Sequence, residues 1–130
     1  MNEQIREIKE RLNLQLDNLN IPFEKKDRLK RTIGAIFDSQ NGRVYLERKS
    51  SFYKYLTIEK NSFTGKYDFC VAKRMINELT GSIEGRDYQF PGLLAISDII
   101  DEYQDIVESE IVNASNYRRM QEPKMENTSN

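Results

Sequence analysis

An α+β domain is the fold class this sequence predicts, on three observations. Apolar residues recur at helical spacing near both ends of the chain, they alternate through its middle, and Asn-, Ser- and Gly-rich breaks separate the alternating runs. The expected order is two N-terminal helices, a three-stranded antiparallel β-meander, a short helix and a long amphipathic C-terminal helix. A chain of 130 residues suits one domain. Residues 1–114 are read as that domain and residues 115–130 as a flexible polar C-terminal tail.

In residues 3–19, Ile5, Ile8, Leu12, Leu16 and Leu19 step by three and four along one helix stripe. Pro22 opens a second helix, which carries Lys25, Lys26, Arg28, Lys30 and Arg31. Residues 32–38 fit either its last turns or a first strand, because Gly34 and the β-branched Thr32, Ile33 and Ile36 suit both. Asn41-Gly42 is then a hairpin turn or a helix-to-strand turn.

Arg43 to Lys49 alternates, with Val44 and Leu46 on one face and Tyr45, Glu47 and Lys49 on the other. Phe52 to Lys60 and Lys66 to Ala72 read as the next two strands, joined by the turn 61–65. Lys73 to Thr80 carries Met75, Ile76 and Leu79 and ends at Gly81, which predicts a short helix. Residues 81–92 hold Pro91 and several glycines and read as a loop. From Leu93 to Ala114 the stripe Leu93, Ile96, Ile100, Tyr103, Val107 and Ile111 predicts one long helix. Helices on one sheet face would bury Leu12, Leu16, Leu56, Ile58, Ile96, Ile100 and Val107. The last helix has more apolar width than one neighbour needs, which leaves homodimer formation open.

Composition narrows the chemistry. The chain has no histidine and one cysteine, Cys70. Triads and proton shuttles built on histidine are excluded, and so is a tetrahedral zinc site. Cys70 reads as a small apolar residue inside a strand. No glycine pattern cradles a phosphate, so no cofactor is expected. No apolar run approaches the ~20 residues of a membrane span. The first residues lack the apolar core of a secretion signal, so the expected location is the cytoplasm, that of the host if the gene is viral.

Charge is polarised along the chain. Residues 25–80 carry net +7 and residues 81–130 net −6, although the whole chain is at −1. The basic part interleaves tyrosines with cations: Arg43, Tyr45, Arg48, Lys49, Tyr53, Lys54 and Tyr55. With Lys25, Lys26, Arg28, Lys30 and Arg31 these are candidate nucleic-acid contacts, because rings stack bases and cations track phosphates. The same tyrosines would also suit a solvated strand face half covered by helices. Asp98, Asp101, Glu102, Asp105 and Glu108 form an acidic stripe on the last helix. It suits a solvated face, a basic partner, the protein's own basic sheet or a weak divalent-metal patch.

Asp38, Glu47 and Lys49 form the one arrangement with catalytic potential. Ile36-Phe37-Asp38 followed by Glu47-Arg48-Lys49 resembles the magnesium-dependent nuclease core, over about a tenth of the chain. There an Asp ends one strand of a hairpin, and an acidic-x-Lys triplet lies on the next. The resemblance implies that two carboxylates hold a hard cation and a lysine orients the attacking water. A helix over residues 32–37 would remove that geometry. The family also expects a helix and a further strand after the triplet, where Phe52 to Lys60 reads as strand at once.

Three functional readings follow. The first is a small non-enzymatic, regulatory protein that binds a protein partner, such as an accessory or host-defence-countering protein of a phage or mobile element. The second is a nucleic-acid-binding module using the basic aromatic sheet and the basic helix. The third is the carboxylate nuclease.

Overall fold

Two helices, α1 (Glu3–Asp17) and α2 (Phe23–Asp38), open the computed structural model, which describes residues 3–122. Leu12 and Leu16 of the α1 stripe are fully buried, with Ile8 and Leu19 packed at the margin. Pro22 precedes α2, and its carbonyl accepts the N–H groups of Lys25 and Lys26. Residues 32–38 are helix. Leu29, Thr32, Ile33 and Ile36 repeat at three and four and are buried. Thr32 satisfies its hydroxyl by donating to the Arg28 carbonyl at 2.7 Å, which lets a polar side chain sit in the buried stripe. Asn41-Gly42 is therefore a helix-to-strand turn, with Gly42 at φ 70°.

Four strands follow in one antiparallel sheet of order β1-β2-β3-β4: β1 (Val44–Arg48), β2 (Phe52–Lys60), β3 (Tyr67–Ile76) and β4 (Ile83–Gln89). The expected α+β class holds, but the meander has four strands and not three. The short helix expected over Lys73–Thr80 is absent. Its first half extends β3 to Ile76, and its second half is a turn in which Asn77 Oδ1 accepts the N–H groups of Leu79 and Thr80. The helical spacing of Met75, Ile76 and Leu79 was misleading, because Leu79 is 96% exposed and buries nothing. The stretch read as a loop contains β4. All its residues are exposed apart from the half-buried Gly85, so no alternation marked it.

The C-terminal helix is two segments, α3 (Leu93–Glu102) and α4 (Gln104–Gln121), meeting at Tyr103 with φ −110° and ψ 32°. As one rod they would run about 43 Å at ~1.5 Å per residue, well beyond the ~30 Å of a small domain. The break lets α3 pack on α2 and β3 while α4 packs on α2 and β1. Residues 115–121, expected in the tail, continue α4. Residues 123–130 lie outside the described residues.

All four helices contribute to one core with Val44, Leu46, Leu56 and Phe69, flanked by Ile58 and Val71. Of the seven residues expected inside, six are buried and Ile58 is half-buried. The register pairs Leu56 with Val71 and Ile58 with Phe69, so these side chains share the sheet face beneath the helices. Tyr53, Tyr55 and Thr57 of β2, with Cys70, Ala72 and Arg74 of β3, point to the other face. Among the described residues no helix is long and apolar enough to cross a membrane.

Candidate nucleic-acid interface

The sheet face away from the helices is built from tyrosines and arginines. A β-bulge sets its left margin. Tyr45 pairs with Tyr55 and Glu47 with Lys54, so Leu46 is an extra residue on β1. The bulge keeps Leu46 in the core and turns Arg48 to the same side as Tyr45, where its guanidinium carbon lies 3.9 Å from the ring centroid. Tyr45 meets the edge of Tyr53 at 6.1 Å and tilts against Tyr55 at 5.6 Å. Arg43 stacks over Tyr55 at 4.5 Å and donates to the Tyr45 hydroxyl at 3.1 Å.

On the right margin, β3 and β4 bring Arg74 opposite Arg86 and Ala72 opposite Tyr88. The Arg74 guanidinium carbon lies 5.9 Å from the Tyr55 ring centroid. Tyr55 is buried, and burial raises its phenol above the ordinary value, so the hydroxyl stays protonated within this network. Under this layer lie small side chains: Ala72, Thr57, which donates to the Gly42 carbonyl at 2.9 Å, and Cys70. Burial pushes the Cys70 thiol up to about 11, as suits a packed strand residue.

The outer edge of β1 is sealed by α4, where Glu110 Oε1 accepts the Tyr45 N–H at 2.8 Å. The same carboxylate stands 3.8 Å from Arg48. Arg43, Arg74 and Arg86 take part in none of the ion pairs among the described residues.

The sequence-derived cations divide into two groups. Arg43, Tyr45, Arg48, Tyr53 and Tyr55 come together on this face, whereas Lys54 points to the helix side, 5.3 Å over the Tyr103 ring. Lys49 is exposed just beyond β1. The cations of α2 lie elsewhere and are mostly paired. Asp101 takes Arg28 at 2.6 Å and Lys25 at 3.1 Å, and Glu108 takes Arg31 at 2.7 Å. Lys30 pairs with Asp17 at 2.6 Å, and Lys26 donates to the Asp17 carbonyl. Hydrogen bonding from Arg31 holds the Glu108 carboxyl below its ordinary value. The acidic stripe thus covers the protein's own basic helix through Asp101 and Glu108, while Asp98, Glu102 and Asp105 stay exposed.

Arg74, Arg86 and Tyr88 were not legible as site residues. Arg74 fell in the expected short helix, and the other two in the expected loop. The Arg-x-Tyr step at residues 86–88 was the one available signal.

The nuclease-like residues do not form their expected geometry. Asp38 ends a helix and not a strand, and it faces Arg118 at 3.8 Å. Glu47 is opposite Lys54 on β1. No cluster of three acidic or cysteine side chains able to hold a metal ion occurs among the described residues. No family model matches the chain, and neither the curated proteins nor the solved structures compared with it include a significant match.

Proposed function

We propose that this protein is a non-enzymatic binding module that takes single-stranded nucleic acid on the uncovered face of its sheet. The observation that carries this reading is the contrast in charge pairing. Four of the five cations of α2 are met by carboxylates, whereas Arg43, Arg74 and Arg86 stand among tyrosines with no carboxylate partner among the described residues. Arginines placed beside aromatic rings suit a ligand with flat bases and a phosphate backbone. A duplex is a poorer fit, because groove reading needs a protruding basic helix or ribbon, and the basic helix here is bound to α3 and α4. Amide spectra of the labelled protein, recorded with a short single-stranded oligonucleotide, test the reading. Shifts should cluster at Tyr45, Tyr53, Arg74 and Tyr88. Shifts confined to α2, or none at all, would refute it.

A basic protein partner is the second reading, favoured by Asp98, Glu102 and Asp105, which remain exposed along one side of α3 and α4. Reversing these three charges would abolish such a complex and leave oligonucleotide binding intact.

A further inference from the structure

Beside the tyrosine and arginine face, a cleft of about 210 Å³ opens between the turn before β1, the bulged start of β1 and the second half of α4. Its walls include Arg43, Tyr45, Arg48, Glu110, Asn113 and Tyr117. We infer that this cleft takes one unpaired base of the bound strand and selects bases that carry an exocyclic amine, such as adenine or cytosine, over thymine, which has none. The inference rests on the single-strand reading of the adjoining face.

Three features support it. The first is size. Pockets for drug-sized ligands run from ~300 Å³ upward, so this smaller cleft suits a single base. The second is charge. Glu110 lies in the wall, with its carboxylate held by the Tyr45 N–H at 2.8 Å and by Asn113 Nδ2 at 3.4 Å. An amino group finds acceptors there in Glu110 and in the Asn113 carbonyl oxygen. The third is placement. Arg43 and Arg48 line the cleft while stacked on Tyr55 and Tyr45. A backbone phosphate can therefore lie on the arginines while its base turns inward, toward a lining that includes Tyr117.

Fluorescence anisotropy with short homopolymers of deoxycytidine, deoxyadenosine and deoxythymidine tests the inference. The amine-bearing strands should bind at least about five-fold tighter than the thymine strand, the low end of what one discriminated base is worth. Glu110→Gln keeps an acceptor for the Tyr45 N–H but adds a donor facing the base, and Asn113→Leu removes the carboxamide. Each should bring the ratio toward unity. Circular dichroism of both variants checks that they fold. Equal affinity of the wild type for all three strands would overturn the base pocket while leaving the sheet-face reading in place. A preference unmoved by either variant would likewise overturn it. Failure of every strand to bind would overturn the sheet-face reading, and this inference with it.

Discussion

Arg48 lies over the ring of Tyr45 at 3.9 Å, and the extra residue Leu46 between them is what brings both to one face of the sheet. A cation held against a ring is prepaid in conformational entropy and keeps one edge free for a phosphate. Arg48→Ala should weaken single-strand binding about equally across sequences. Arg48→Lys should recover only part of the loss, because an ammonium keeps the charge but not the planar stacking. Anisotropy titrations of the two variants at one salt concentration distinguish these effects.

Arg28 and Asp101 tie α2 to α3 at 2.6 Å, with the arginine side chain only 18% exposed. A charged hydrogen bond of this kind contributes about 1–3 kcal/mol when one partner is removed, more than a surface pair would. Asp101→Ala should lower the urea midpoint by a corresponding amount. A double-mutant cycle with Arg28→Ala should show a coupling of about 1 kcal/mol.

Acid should loosen the contact between α2 and α4. The Glu108 carboxyl is depressed in the folded state by its hydrogen bond from Arg31. The native state therefore releases the proton more readily than the unfolded chain. The stabilisation is complete above the unfolded value, about 4.3, and is lost as pH falls through the folded one. Thermal melts should show the midpoint falling below about pH 4, and Glu108→Gln should flatten that fall while lowering stability at neutral pH.

Cys70 titrates in the opposite sense. Its thiol is raised to about 11 by burial, above the ~8.5 of an exposed thiol. The unfolded chain ionises first as pH rises, so stability declines between about 8.5 and 11. The folded protein should react with a thiol reagent at pH 8 only as fast as it unfolds, and Cys70→Ala should reduce the alkaline loss.

The parts of the fold legible in the sequence are those where one face is buried. Leu12, Leu16, Ile96, Ile100 and Val107 repeat at helical spacing because the core selects them, and all are buried. Leu56 and its strand neighbours were legible for the same reason. Where nothing is buried, the pattern vanishes: β4 exposes both faces, so no alternation marks Arg86 and Tyr88 as strand. The bulge was equally silent, since one added residue leaves the apolar positions Val44 and Leu46 in step while reversing Arg48. The break at Tyr103 left the stripe unbroken through Val107, so two helices read as one. The site was half visible: Arg43, Tyr45, Arg48, Tyr53 and Tyr55 could be named, but not their separation from the α2 cations. That separation depends on Asp101 and Glu108 folding back over α2, a contact spanning more than seventy positions in the chain.

Salt dependence tests the central claim most directly. Each phosphate contact on a single strand adds about 0.7 to the slope of log affinity against log salt. Replacing Arg43, Arg48 and Arg74 together with alanine should reduce that slope by about two. Replacing Lys26 and Lys30 of α2 should leave it unchanged. A slope that survives loss of the three sheet arginines but collapses with the two α2 lysines would contradict the account.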